Sequence, residues 1–164
     1  MQNIITGRVW KLGDNIDTDL IYPGKYLPII VAEEMAQHAL EGYDKDFPSK
    51  IQKGDIIVAG KNFGCGSSRE QAATCLKFAG IGAIAAKSFS RIFFRNAINQ
   101  GLPLLTSDAA DAVDQGGEIT IDFSKGTIVF PGGQKRFPAL PDSVMDILRE
   151  GGLIPSVKKS LGIA

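Results

Sequence analysis

The stretch Asn62-Phe63-Gly64-Cys65-Gly66-Ser67-Ser68-Arg69-Glu70 gathers hydroxyls, a guanidinium and glycines into one short turn. It follows the apolar run Ile56-Ile57-Val58-Ala59 and precedes a helical pattern, so it reads as a loop between a buried strand and a helix N-terminus. Loops at strand carboxyl ends are where α/β sheets hold ligands. A helix start adds unpaired N–H donors and a positive dipole end, which favour anions. Gly64 and Gly66 let the backbone turn or approach a ligand closely. The Arg69 fork matches a carboxylate in bidentate fashion. The glycine spacing is neither that of a P-loop nor G-x-G-x-x-G, since Ser68-Arg69 stands where the last glycine would fall. Two other readings of the turn remain open at this level. Ser67 and Glu70 fit a capping box with Arg69 paired to a surface acid, and Cys65 is placed for activation by the helix dipole.

The scarce residues narrow the chemistry. The 164-residue chain has two cysteines, Cys65 and Cys75, and one histidine, His38. Neither a secreted disulfide framework nor a complete zinc, calcium or iron–sulfur ligand set follows from these. No G-x-S-x-G elbow accompanies His38, which argues against a Ser-His-Asp hydrolase. Eighteen basic residues balance eighteen acidic ones, leaving no basic footprint for nucleic acid or membrane. The longest apolar run, Leu27 to Ala32, is too short to span a bilayer, and Met1-Gln2-Asn3 opens no leader pattern. The expectation is a cytoplasmic protein whose residues 1–164 form one domain.

Elements that would position the turn follow from periodicity. Strands are expected at Ile4 to Leu12, Ile56 to Ala59, Ile81 to Ala86 and Leu102 to Leu105, and a hairpin at Glu118 to Phe130. Helices are expected at Glu33 to Glu41 with Gly42 as cap, from Ser67 to Ala79, from Ser88 or Ser90 to Gly101, and last from Asp142 to Gly151. The pattern is α/β, alternating in the middle with β-rich ends.

The run Gly60-Lys61-Asn62-Phe63-Gly64-Cys65-Gly66-Ser67-Ser68-Arg69-Glu70-Gln71-Ala72 resembles the signature of the swivelling domain of the aconitase superfamily. Within it, the chain is similar to the separate small subunits of the isopropylmalate dehydratases (isopropylmalate isomerases). Gly13-Asp14-Asn15-Ile16-Asp17-Thr18-Asp19, Lys87 to Asn96, Gly101-Leu102-Pro103 and Ile147 to Leu153 carry the likeness over most of the chain. Gln71 departs from the His of many relatives, although other small subunits share Gln.

The resemblance implies a three-layer β/β/α fold and a hydro-lyase subunit that is inactive alone. It implies Ser67 as catalytic base, with Ser68, Arg69 and Gly66 holding a substrate carboxylate and Asp19 as an active-site acid. From local sequence alone, Asp19 is equally a turn or cap residue. The resemblance assigns the four-iron, four-sulfur cluster to a larger partner subunit, so this chain itself holds no metal. Cys75 is then expected to be a packed small hydrophobe.

The resemblance also implies that Tyr26-Leu27-Pro28-Ile29 senses the substrate's variable group. Homoaconitase-like relatives carry an Arg at the position of Pro28, which could grip a third carboxylate. Pro28 has neither charge nor donor, so an isopropyl or methyl group is favoured. The expected substrate is 2-isopropylmalate in leucine biosynthesis, with citramalate and 2,3-dimethylmalate as near alternatives. Rivals from other classes are a non-catalytic anion-binding module and a Cys65-dependent thiol enzyme. His38 is expected on a helix with no role, Arg91 and Arg95 share a helix face, and Asp108, Asp111 and Asp114 form a solvated surface.

Overall fold

The computed structural model describes residues 1–163. Its strands are β1 (Ile4–Lys11), β2 (Ile56–Ala59), β3 (Ala83–Ala86), β4 (Leu104–Thr106), β5 (Glu118–Asp122), β6 (Thr127–Phe130) and β7 (Gly133–Arg136). They form one sheet in the order β4-β3-β2-β1-β5-β6-β7. β1 is the seam: Val9 to Lys11 pair parallel with β2, whereas Ile4 to Arg8 pair antiparallel with β5. β2, β3 and β4 continue the parallel half, and β5, β6 and β7 the antiparallel half. Every residue of β2 and β3 is buried, as their unbroken apolar runs require of strands covered on both faces.

The helices are α1 (Thr18–Ile21), α2 (Ala32–Ala36), α3 (Phe47–Lys50), α4 (Glu70–Ala79), α5 (Arg91–Asn99), α6 (Asp142–Arg149) and α7 (Leu153–Ser160). α4 connects β2 to β3 and α5 connects β3 to β4, so each is a crossover between parallel strands. The loops leaving β1, β2 and β3 consequently emerge at one edge. They are tied there by Asn15 N–H to Lys61 C=O (2.8 Å), Phe63 N–H to Ser88 C=O (3.0 Å) and Ser90 N–H to Phe63 C=O (3.0 Å). Phe63 is fully buried beneath this edge and meets Phe93 edge-on at 5.2 Å between ring centres.

Several element ends differ from the sequence expectation. The helix expected over Glu33 to Glu41 stops at Ala36. The chain then bends so that Leu40, at φ +59°, donates its N–H to Ile21 C=O at 2.7 Å, and Tyr43 bonds Leu20 C=O. Docking onto α1 therefore replaces further helical turns, and Gly42 lies against the backbone of Asp19 and Leu20 instead of closing a helix. Asp142 begins α6, with Pro141 at its cap. β7 and α7 were not foreseen: Gly133-Gln134-Lys135-Arg136 is a mostly exposed polar edge strand, and Pro155 interrupts the helical pattern of the last segment.

Candidate active site

α4 begins at Glu70 with Arg69 in the cap position, and no side chain caps it. The capping box expected of Ser67 and Glu70 is therefore absent. Its reason is tertiary, because Thr18 pins the turn: its N–H donates to Cys65 C=O (2.8 Å) and its Oγ1 to Ser67 C=O (2.9 Å). Held from this side, Ser67 and Ser68 remain exposed beside the uncapped helix start.

The opposite side of the turn is fixed by α5. Ser90 Oγ donates to Gly64 C=O at 2.8 Å and accepts from Phe93 N–H at 3.2 Å, capping α5 as it does so. Gly64 has φ +79°, and a side chain there would run into the Cβ and ring of Phe93. Gly66, at φ +94°, reverses the backbone so that Ser67 faces outward.

Arg69 donates from Nη1 to Asp19 Oδ1 at 2.7 Å and to Tyr22 C=O at 3.1 Å. Its side chain is only 18% exposed, although that of Asp19 is 67% exposed. Asp17 caps α1 by accepting from Leu20 N–H, which leaves the Asp19 carboxylate available to Arg69. Gly24 N–H adds a second donor to Asp19 Oδ1 at 2.9 Å. Arg69, and then Gly24, hold the Asp19 carboxyl below the usual aspartate range. Nη2 lies beside the Gly24 backbone, and among the described residues neither Nη2 nor Nε makes a hydrogen bond.

Thr18, Gly66, Ser67, Arg69, Arg91 and Asn96 line a cavity of about 300 Å³ beside the turn. The fold thus brings Gly66, Ser67 and Arg69 into one cavity and joins Asp19 to it through Arg69. Ser68 is exposed on the same turn. Tyr26, Leu27, Pro28 and Ile29 are not among the residues lining that cavity. Tyr26 ends the 3-10 turn Gly24–Tyr26, whose Gly24 backbone lies against the Arg69 guanidinium, and Leu27, Pro28 and Ile29 follow it. Leu27 and Pro28 are exposed, and Tyr26 and Ile29 half-buried.

The remaining candidates sort cleanly. Cys75 is fully buried, donates to Ala72 C=O, and burial pushes its thiol upward, as befits a packed small hydrophobe. Cys65 is half-buried, with its C=O bonded to Thr18. Arg91 borders the Ser67 cavity and, with Arg95, an adjoining depression of about 490 Å³. Asp111 pairs with Lys87 and Asp108 with Lys135. Ser90 caps α5, one of the two caps expected there, but its bond to Gly64 and the hold of Thr18 on the turn escaped sequence reasoning; the sole trace of Thr18 was its place between Asp17 and Asp19. His38 lies beyond the end of α2, half-buried, with its ring stacked on Tyr26.

Residues 15–109 match the aconitase C-terminal domain family. The chain belongs to this family. It is 50% identical over 161 residues to the 3-isopropylmalate dehydratase small subunit of Nautilia profundicola, covering 97% of each chain. It is also 50% identical over 163 residues to the methanogen homoaconitase small subunit of Methanothermobacter thermautotrophicus, covering 98% of this chain and 95% of that one. The crystal structure of 3-isopropylmalate dehydratase from Methanocaldococcus jannaschii superposes with a TM-score of 0.92 at 45% identity, over 96% of this chain and 95% of that chain. The curled seven-stranded sheet with its helices is thus the aconitase C-terminal fold, and the sequence expectation of that fold holds.

Proposed function

We propose that the chain is the small subunit of a 3-isopropylmalate dehydratase, a hydro-lyase that interconverts 2- and 3-isopropylmalate by dehydration and rehydration in leucine biosynthesis. The observation that carries this is the exposed Ser67 hydroxyl sharing one cavity with an Arg69 fork that Asp19 holds in place. The relatives that bear this name at about half identity support it.

In this reading Ser67 Oγ, as an alkoxide, takes the proton from the carbon beside a substrate carboxylate. The C–H electron pair becomes the new C=C bond as hydroxide leaves the neighbouring carbon. Hydroxide then adds to the carbon that lost its proton, and Ser67 delivers its proton to the carbon that lost the hydroxide, which regenerates the alkoxide. Arg69 and Ser68 grip the carboxylate and stabilise the negative charge that builds on it, while Gly66 gives the ligand close access to the backbone. The uncapped start of α4 lowers the cost of an alkoxide at Ser67. Asp19 keeps Arg69 aimed. Tyr26, Leu27, Pro28 and Ile29 receive the branched alkyl group.

A four-iron, four-sulfur cluster would supply a Lewis acid for the departing hydroxyl. The donors of this chain do not fit such a cluster. Cys75 is buried and strongly disfavoured as a thiolate, and among the described residues no three His, Cys, Asp or Glu side chains converge. In this reading a larger partner subunit carries the cluster, and activity requires both chains. No helix among the described residues is long and apolar enough to cross a membrane, and we place the assembly in the cytoplasm.

A second reading, homoaconitate as substrate, is favoured by the equally similar homoaconitase small subunit. Pro28 stands against it, since it offers a third carboxylate no charge and no donor. The proposal is tested by Ser67→Ala in the assembled enzyme. Association with the large subunit should be intact and turnover lost; surviving turnover would remove Ser67 from the role of base.

A further inference from the structure

His38, the only histidine, packs its ring on that of Tyr26 with 3.6 Å between centres and 16° between planes. Its Nδ1 lies 2.6 Å from Glu41 Oε2, and the Tyr26 hydroxyl donates to Glu41 Oε1. One carboxylate thus holds both members of the stack, and its bond to Tyr26 keeps the phenol protonated, pushing Tyr26 above the usual tyrosine range. From below, the fully buried Tyr22 donates its hydroxyl to Tyr26 C=O at 2.7 Å. That carbonyl also accepts from Ile29 N–H at 3.0 Å, while Leu27 N–H bonds Gly24 C=O at 3.1 Å. The turn bearing His38 and Glu41 is itself bonded to α1, the helix of Asp19, through Leu40 and Tyr43.

We propose that His38 and Glu41 are positioning residues that lock the Tyr26 ring and thereby fix Leu27, Pro28 and Ile29 relative to the Asp19–Arg69 pair. This rests on the reading that Tyr26 to Ile29 sense the substrate's alkyl group. A surface segment that follows a single short 3-10 turn would otherwise sample many conformers, and each would weaken binding through its share of the population. The ring stack and the shared carboxylate remove that freedom without touching substrate.

The test uses the full chain for amide exchange and its complex with the cluster-reconstituted large subunit for kinetics. His38→Ala and Glu41→Ala should each speed exchange of the Leu27 and Ile29 amides roughly fivefold, the worth of one aromatic stack. Each should raise KM for isopropylmalate by a similar factor while leaving kcat close to the parent value. His38→Phe, which keeps a ring on Tyr26, should recover much of the protection, as a merely destabilised fold would not. Unchanged exchange in both alanine variants overturns the proposal. Faster exchange with unchanged KM leaves the lock standing and overturns the assignment of Tyr26 to Ile29 to substrate sensing.

Discussion

Arg69 and Asp19, fifty residues apart in sequence, meet at 2.7 Å because the loops leaving β1 and β2 emerge side by side. The pair orients the guanidinium before any ligand arrives, which lowers the ordering cost of binding. Asp19→Ala should leave Arg69 tethered only to Tyr22 C=O and cut kcat/KM by roughly tenfold to a hundredfold, the usual cost of a misplaced carboxylate clamp. Arg69→Lys should cost at least as much, since an ammonium cannot fork to Asp19 and a substrate carboxylate together. Steady-state kinetics of the assembled enzyme decides both.

The same pair predicts a pH response. Asp19 is held below the usual aspartate range, first by Arg69 and then by the Gly24 amide. Its charge, and with it the orientation of Arg69, is present throughout the range above an ordinary aspartate and is lost only as pH falls through the lowered value. Carboxyl carbon NMR should show Asp19 titrating below the ordinary aspartate value; titration at or above that value would contradict the pairing.

Gly64→Ala should destabilise the fold by about 3 kcal/mol, combining left-handed strain with a clash against the Phe93 ring. Gly116 has nearly the same φ, +81°, but open space where its side chain would begin. Gly116→Ala should therefore cost only about 1 kcal/mol, that of the strain. Urea denaturation of the two variants separates packing from backbone conformation.

Thr18→Val keeps the shape of the side chain but removes the bond to Ser67 C=O. Stability should fall by about 1 kcal/mol. The kcat should fall more than that modest loss suggests, because the freed turn carries the base. A drop in KM alone, with kcat intact, would count against Thr18 as the support of Ser67.

Asp55 lies far from this chemistry and supplies a control. It is 2% exposed and accepts from Arg8, from Trp10 Nε1 at 2.7 Å and from Gln52 N–H at 2.8 Å. Burial alone would raise its pKa, but the donors of Arg8, Gln52 and Trp10 outweigh that and hold it low. Its stabilising contribution is therefore present above the usual aspartate range and lost as pH falls through the lowered value. Asp55→Ala should cost about 3 kcal/mol in unfolding experiments near neutral pH, with activity per folded molecule unchanged.

Much of the site was legible in the sequence because its parts are consecutive. Gly64 to Arg69 share one turn, and the buried runs of β2 and β3 announce parallel strands whose carboxyl ends expose it. What local sequence could not show was set at a distance. Ser67 reads as a helix cap until Thr18 takes hold of its carbonyl, and Asp19 reads as a turn residue until Arg69 reaches it. The helix expected to Glu41 fails because Leu40 bonds Ile21 instead of continuing the spiral. The Tyr26–His38–Glu41 contacts join residues whose spacing carries no periodic signal, and β7 lacks the alternation that marks a half-buried strand.

The central claim is a site completed by two chains and selective for an alkyl-branched substrate. It is tested most directly by an anaerobic dehydratase assay of this chain mixed with its cluster-reconstituted large subunit, each subunit alone serving as control. The substrates would be 2-isopropylmalate, 3-isopropylmalate, citramalate, 2,3-dimethylmalate and homocitrate. The account predicts turnover of both isopropylmalates by the mixture only, and none of homocitrate. Turnover by this chain alone, or homocitrate as the preferred substrate of the mixture, would contradict it.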